Sequence, residues 1–166
     1  MTIVRLTTNE AIRLRAIRLR SLEDAPDAFG STFQEMESRP IENWTQQLKD
    51  MVTFVAVRDD DDVGIVRGVA DNDQPDTAWL NSMWVAPDDR GMGLGDQLIL
   101  ALVAWAKERR FRRIVLDVGD ENRNAIALYE RMGFLPNGVT SQLPSPRQHI
   151  QEHQREFLLR SDNSLL

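Results

Sequence analysis

The chain has 166 residues, of which 42% are hydrophobic, enough to bury the core of one domain spanning residues 1–166. It contains no cysteine, which excludes disulfide bonds and thiol catalysis. Its formal net charge of −6 argues against nucleic acid as a general partner. Residues 1–6 lack the layout of a signal peptide, and no apolar stretch reaches the ~18–20 residues of a membrane span. The sequence therefore predicts a cytoplasmic protein with no membrane partner.

The first half of the chain alternates strand and helix patterns. Thr7 and Glu10 stand at the spacing of a capping box, which marks the start of a helix. A break at residues 26–33 ends that helix. The predicted elements are a strand at 3–6, a helix over about 12–22, a helix at 41–48, and a hairpin of strands 52–57 and 65–70.

The second half continues the alternation, so we expect an α/β fold with a mixed sheet and helices on both faces. The first helices, residues 28–32 and a loop at 136–150 are expected to select the substrate. The predicted elements are a strand at 79–85, a helix from 95 to about 109, a strand at 113–118, a helix at 123–132 and a final strand at 155–159.

The turn between strand 79–85 and its helix is the most informative stretch, with the sequence R-G-M-G-L-G at residues 90–95. Pro87 lacks the N–H group needed to continue a strand. The three glycines can adopt positive φ and let the main chain approach a ligand closely. The first N–H groups of the following helix have no intrahelical partners and suit an anion. Arg90 adds a permanent cation, so the stretch predicts a phosphate-binding site.

Two familiar phosphate-binding motifs do not fit this spacing. A dinucleotide fingerprint needs a glycine where Asp96 stands, and a P-loop needs a Lys-Ser/Thr pair where residues 96–97 are Asp-Gln. The turn instead resembles the signature Q/R-x-x-G-x-G/A, with which the GCN5-related N-acetyltransferase (GNAT) superfamily binds the pyrophosphate of acetyl-CoA. Arg90, Gly93 and Gly95 occupy its fixed positions.

A second segment strengthens the resemblance. Residues 122–134 follow the pattern N-x-x-A-x-x-L-Y-x-x-x-G-F, which is similar to the second GNAT signature. Helical spacing places Ala125, Leu128 and Met132 on one face, and Gly133 suits the end of the helix. The part of the chain that carries both signatures runs from about residue 79 to residue 134. The matching residues of the second signature are Asn122, Ala125, Leu128, Tyr129, Gly133 and Phe134.

The resemblance implies a single-domain GNAT-like fold with a mostly antiparallel sheet and two central parallel strands that splay after residues 85 and 118. It implies acetyl-CoA as cosubstrate, no metal, and an amine of a small molecule or peptide as acceptor, in a monomer or homodimer. The residues it implies for cofactor binding are Met83, Trp84, Val85, Arg90, Gly91, Met92, Gly93, Leu94, Gly95, Asp96, Asn122 and Tyr129.

The resemblance also implies catalytic roles. Tyr129 is the only tyrosine and stands where these enzymes commonly carry the general acid for the departing thiolate. An ordinary pKa of ~10 would keep it protonated at neutral pH; the alternative is a core aromatic residue. Backbone N–H groups near Trp84 or Val85 are implied as oxyanion donors. Asn122 is expected to bind the cofactor, to cap the following helix, or both.

Two residues depart from the family pattern. Many relatives have a glutamate base where this chain has Asn81, so deprotonation of the amine would pass through water or through a carboxylate elsewhere, such as Glu35 or Glu37. The missing base leaves open a non-catalytic acyl-CoA-binding or sensing domain. Asp96 follows the last glycine, where a carboxylate competes with a pyrophosphate for the helix dipole, and we expect its side chain to point away.

Two further patterns could suggest a metal site. Residues 149–153 match H-x-x-E-H, the inverted zinc-protease pattern, but they lie in a predicted polar loop that enters the last strand, and no third histidine exists. Residues 59–62 are four aspartates in a hairpin turn without the spacing of a cation-binding loop. We interpret both as polar surface segments and predict no metal ligands.

Overall fold

The computed structural model describes residues 1–159, which form one seven-stranded sheet and five α-helices. The strands are β1 (Thr2–Arg5), β2 (Val52–Arg58), β3 (Asp61–Ala70), β4 (Thr77–Val85), β5 (Arg113–Gly119), β6 (Leu135–Gln142) and β7 (Gln151–Leu158). The helices are α1 (Ala11–Asp24), α2 (Phe33–Glu37), α3 (Ile41–Asp50), α4 (Leu94–Glu108) and α5 (Arg123–Arg131). Residues 160–166 of the predicted domain lie outside the described part.

The strand order is β1-β2-β3-β4-β5-β7-β6, and β4 and β5 form the parallel pair among otherwise antiparallel neighbours. This confirms the predicted mixed, mostly antiparallel sheet. Residues 63–68 of β3 are buried at six consecutive positions, a pattern of strands covered on both faces. Helix α4 covers one face, and α1 with α3 covers the other. None of the helices within residues 1–159 combines the length and apolar character needed to cross a membrane.

The parallel strands separate earlier than the sequence predicts. Their pairing runs from Thr77 opposite Arg113 only to Trp79 opposite Val115, so the gap begins there and not after residues 85 and 118. A bulge in β4 accompanies the separation, because its register against β3 shifts between Asn81 and Trp84. Ser82 in this bulge has a φ of 62°. The bulge turns the strand and leaves the later part of β4 unpaired on its β5 side.

Two elements were missed by the sequence analysis. The predicted loop at 136–150 is wrong over its first part, because β6 occupies residues 135–142. The last strand, predicted at 155–159, already begins at Gln151. Strand β6 lies at the sheet edge and is almost wholly exposed, so it carries no hydrophobic alternation to detect. Helix α2 was also missed; it begins with a capping box between Thr32 and Glu35. The predicted box at Thr7 and Glu10 closes a turn before α1 instead.

Gly68 on β3 is expected to be the glycine least tolerant of a side chain. A Cβ at this position would lie 2.5 Å from Leu102 Cδ1 and 2.9 Å from Trp105 Cζ3, so Gly68→Ala overpacks the contact between β3 and α4. We expect a loss of about 1–3 kcal/mol in the free energy of unfolding, measured by urea denaturation. Gly30→Ala is the matched control, since a Cβ at Gly30 meets nothing within 4 Å. Equal stabilities for the two variants would contradict the expectation.

Candidate active site

A cavity of about 1290 Å³ opens where β4 and β5 separate. Its walls come from the later part of β4, the glycine-rich turn, the ends of β5 and α1, and one side of α5. The structure brings the predicted cofactor-binding residues together here, except for Met92, whose exposed side chain lies outside the lining. The predicted residues that line the cavity are Met83, Trp84, Val85, Arg90, Gly91, Gly93, Leu94, Gly95, Asp96, Asn122 and Tyr129.

The glycine-rich turn has the backbone that the sequence predicts. Gly91 and Gly93 adopt φ of 80° and 79°, and a Cβ at either would meet nothing within 4 Å, so both leave open space beside the main chain. Gly93 directly precedes α4, a 15-residue helix whose free N–H groups face the turn. Gly95 has a packing role, because a Cβ there would lie 3.0 Å from Leu128 Cδ2 on α5. The turn therefore has the backbone geometry that suits an anion.

Arg90 is held in place by the end of α1 and the end of β4. Its Nη2 donates to Asp24 Oδ2 at 2.9 Å, and its Nε donates to the Val85 carbonyl at 2.9 Å. The same Asp24 oxygen accepts from Trp84 Nε1 at 2.9 Å. Asp24 thus fixes a predicted phosphate-binding cation and a predicted cofactor-binding residue. The sequence analysis missed it, because only the fold brings α1 to this turn.

The carboxylate of Asp96 is paired within the protein. Arg131 on α5 donates from Nη2 to Asp96 Oδ1 at 2.6 Å, and both side chains line the cavity. This ion pair neutralises the negative charge beside the helix N-terminus, so Asp96 does not oppose an anion in the way its position in the sequence suggested. Arg131 is a second cation beside the turn that the sequence analysis did not identify.

Tyr129 and Asn122 lie on the α5 side of the cavity. The Tyr129 side chain is 6% exposed, and burial raises the pKa of its hydroxyl above the ordinary value, so it is protonated at neutral pH. Its ring packs against Phe134 with the ring centroids 6.0 Å apart. Asn122 precedes α5 but makes no side-chain capping hydrogen bond. Its amide therefore remains available to the cavity, and the predicted capping role is not observed.

The carboxylates suggested for the base are in the wrong place. Glu35 is exposed and closes the capping box of α2, Glu37 is also exposed, and neither lines the cavity. The lining contains Asp117 of β5 and Glu152 of β7 instead. Burial raises the pKa of both groups, and the charge of Asp117 raises that of Glu152 further. Carboxylates with raised pKa values suit proton transfer near neutral pH.

Asp117 has a position on β5 that corresponds to Asn81 on β4, where the family pattern expects a base. The last paired residues of the two parallel strands are Trp79 and Val115, so Asn81 and Asp117 each stand two residues further along, on opposite sides of the gap. The sequence contained no signal that singled out Asp117. An exposed charged residue between the buried Leu116 and Val118 fits the ordinary alternation of a strand.

The raised pKa of Glu152 predicts a pH-dependent stability. The folded state binds the Glu152 proton more tightly than the unfolded chain, so ionising this group lowers folding stability as the pH rises from about 4.5 through the folded pKa. We therefore expect Glu152→Gln to raise the Tm at pH 7 by about 1–3 °C and to leave it unchanged at low pH. Calorimetric scans at several pH values measure this. The control Glu37→Gln, at an exposed position, should show no such pH-dependent difference, and a stabilisation that is equal at all pH values would contradict the assignment.

Neither the H-x-x-E-H segment at 149–153 nor the aspartate run at 59–62 forms a metal centre in the described part of the chain. His149 lies in a turn, whereas Glu152 and His153 are adjacent on β7, where neighbouring side chains point to opposite faces. The segment that enters the last strand is thus already strand from Gln151 onward. In the aspartate run, Asp62 is bound by Arg13, whose Nη2 and Nε donate to its two carboxylate oxygens. Within residues 1–159, no group of three or more His, Cys, Asp or Glu side chains could hold a metal ion.

A glycine-rich strand-to-helix turn thus lies beside two parallel strands that separate at the centre of the sheet. The model of the acetyltransferase (GNAT) family matches residues 16–134, so the chain belongs to this family.

The chain is also similar to curated proteins at modest identity. A mycothiol acetyltransferase of Thermobispora bispora is 29% identical over 123 residues, which are 72% of this chain and 41% of that protein. An uncharacterized N-acetyltransferase of Methanocaldococcus jannaschii is 38% identical over 66 residues, which are 40% of this chain and 29% of that protein. The chain thus spans less than half the length of these curated relatives.

The fold is shared across most of the chain with solved structures. A ribosomal-protein-alanine N-acetyltransferase of Brucella melitensis superposes with a TM-score of 0.79 at 22% identity, covering 96% of this chain and 100% of that one. A candidate acetyltransferase of Salmonella typhimurium, solved with its cofactor acetyl-CoA, has a TM-score of 0.78 at 16% identity, covering 97% and 95%. At these identities the likeness concerns the fold.

Proposed function

We propose that this protein is an acetyl-CoA-dependent N-acetyltransferase that passes the acetyl group directly to a primary amine of a small molecule or peptide within a ternary complex. One observation carries the proposal. The anion-binding turn and a buried, protonated tyrosine, Tyr129, line the same cavity in a member of the GNAT family. The acetyl-CoA in the Salmonella typhimurium relative supports the choice of ligand.

The cavity residues fit acetyl-CoA. Its pyrophosphate needs donors and room beside the main chain, and the open space at Gly91 and Gly93 provides the room. The N-terminus of α4 and Arg90 provide donors and positive charge. The unpaired side of β4 beyond Trp79 offers backbone groups to the pantetheine arm. Backbone N–H groups of Trp84 or Val85 are the proposed donors to the thioester oxygen.

Acetyl-CoA supplies an acetyl thioester, and the protein then has to manage two protons. Asp117 accepts a proton from the ammonium form of the acceptor, directly or through one water, which leaves a nucleophilic amine. As the new N–C bond forms and the C–S bond breaks, the Tyr129 hydroxyl donates its proton to the departing sulfur, and the proton that the new amide nitrogen loses restores the Tyr129 hydroxyl, directly or through water. The charge of Asp117 raises the pKa of Glu152, so the two carboxylates interact, and the proposed role of Glu152 is to help keep the pair able to accept protons near neutral pH.

The test is thiol release from acetyl-CoA in the presence of a panel of amines, amino acids and peptides. If the protein is an enzyme, thiol release from acetyl-CoA should depend on one class of amine. The amount of acetylated amine measured by mass spectrometry should equal the amount of thiol released. The competing interpretation is a non-catalytic acyl-CoA sensor, favoured by the absence of a carboxylate at Asn81. Binding of acetyl-CoA without release across the panel would support the sensor and overturn the enzyme.

A further inference from the structure

Two arginines are buried in the wall of the cavity. Arg18 of α1 is 3% exposed and Arg67 of β3 is 7% exposed, and both residues belong to the cavity lining. Within residues 1–159, neither guanidinium is among those paired with a carboxylate within 4.0 Å. Buried charges in proteins are normally paired, so two such cations in one cavity wall call for an anion.

The partners of the two arginines are neutral. Arg67 donates from Nε to Ser82 Oγ at 2.9 Å and from Nη1 to Gln47 Oε1 at 2.7 Å. Arg18 donates from Nη1 to Ser21 Oγ at 3.1 Å, and its buried Nε has no hydrogen-bond partner among the described residues. These contacts, with the Phe29 ring centroid 4.9 Å from Arg18 Cζ, orient the guanidinium groups and provide no carboxylate to balance their charges.

The electrostatics of the pair favour an added negative charge. Burial lowers the pKa of Arg18 to about 10, and burial together with the charge of Arg18 lowers the pKa of Arg67. Guanidinium groups nevertheless stay protonated in proteins at neutral pH. Two like charges then face each other in a site of low dielectric constant, an arrangement that a bound anion stabilises.

The position of the arginines separates them from the phosphate site. Arg67 pairs with Asn81, four residues before the end of β4 at Val85, which is about 13 Å along a strand. The glycine-rich turn begins beyond that end. Asn81 also lies across the gap from Asp117, the proposed base. The arginines therefore lie where the acceptor and not the pyrophosphate would bind.

We propose that Arg18 and Arg67 bind the carboxylate of the acceptor, and that the acceptor is a free amino acid. This inference rests on the proposed function. Each guanidinium group presents a planar fork of hydrogen-bond donors that matches a carboxylate. Asp117 on β5 and Glu152 on β7 lie across the gap from β4, and their negative charges suit the ammonium group of the same molecule. The cavity thus offers complementary charge to both ends of a zwitterion.

The first test uses the unaltered protein. Each of the twenty common L-amino acids and its carboxamide is assayed for thiol release from acetyl-CoA and is titrated by calorimetry in the presence of CoA. We expect at least one amino acid to show a kcat/KM about 10- to 100-fold above that of its amide. Turnover of amides as efficient as that of the acids would overturn the inference and leave the acetyltransferase standing. Acetyl-CoA binding without any turnover would overturn the proposed acetyltransferase activity. The amino-acid titration would still decide whether the arginine pair binds carboxylates.

The second test changes the arginines. Arg67→Gln is expected to raise the KM for the preferred amino acid about 10- to 100-fold, with the KM for acetyl-CoA unchanged, and Arg67→Lys should recover part of the loss. Arg112→Gln is the matched control, because Arg112 is exposed and outside the cavity lining. An unchanged KM in Arg67→Gln, with the fold confirmed by thermal denaturation, would contradict the proposal.

Discussion

Tyr129→Phe is expected to lower kcat for acetyl transfer by about 100-fold or more, with the affinity for acetyl-CoA changed by less than about twofold. The substitution removes one hydroxyl from a ring that is buried against Phe134, so packing is conserved and proton donation is lost. Burial raises the pKa of the Tyr129 hydroxyl above its ordinary value. The deficit should therefore persist across the neutral range and beyond pH 9, because the hydroxyl remains protonated there.

The measurements are steady-state rates of thiol release and calorimetric titration of acetyl-CoA for both proteins. Unaltered stability of the variant, followed by urea denaturation, is the control for packing. A variant with full turnover would make Tyr129 a core residue that happens to line the cavity. The proton for the departing sulfur would then have to come from another group or from water.

Asp117→Asn is expected to lower kcat/KM at neutral pH by about 100-fold, since the acceptor amine would lose its proton acceptor. Burial raises the pKa of Asp117, so the activity of the unaltered protein should fall as the pH drops through that raised value. In the variant this acidic limb should disappear. Profiles of kcat/KM against pH for the two proteins measure both effects.

Asp120→Asn is the matched control for this carboxylate. Asp120 follows the end of β5, lies outside the cavity lining and contacts His153, so its removal should leave the profile unchanged. If Asp117→Asn kept both the rate and the acidic limb, the base would lie elsewhere. Glu152 would be the next candidate, since it is the other raised-pKa carboxylate of the lining.

The parts of the site that are built from backbone could be predicted from the sequence. A turn that needs positive φ restricts its residues to glycine, so Gly91 and Gly93 are visible in the sequence, and both have the expected φ. The helix that carries Tyr129 could also be predicted from the sequence, because its apolar residues recur at the helical period.

The parts that depend on pairing between distant segments could not be predicted. Asp24 and Arg131 reach the glycine-rich turn from α1 and α5, and no local pattern indicates such contacts. Strand β6 is an exposed edge strand, so its sequence shows no alternation of apolar and polar residues that would indicate a strand. Asp117 depends on where β4 and β5 separate, which the structure puts at residues 79 and 115 and the resemblance put further along.

Arg18 is an intermediate case. It stands four residues after Leu14 and four before Leu22, both of which are buried, so helical spacing already places a charge on the apolar face of α1. A charged residue in that position is a signal for a functional group or an internal ion pair. The prediction of a helix over residues 12–22 did not single out Arg18.

The binding of acetyl-CoA at the glycine-rich turn is the claim on which the account depends, and calorimetric titration tests it most directly. We expect one molecule of acetyl-CoA to bind per chain, about 10-fold more weakly in Gly93→Ala. A side chain strains the left-handed backbone by about 1–2 kcal/mol; the free variant relieves this strain by leaving the conformation that binds, and binding has to restore it. Gly138→Ala introduces the same kind of strain at a φ of 86° on β6, outside the cavity, and should bind normally. Absence of binding to the unaltered protein, or equal binding by both variants, would contradict the account.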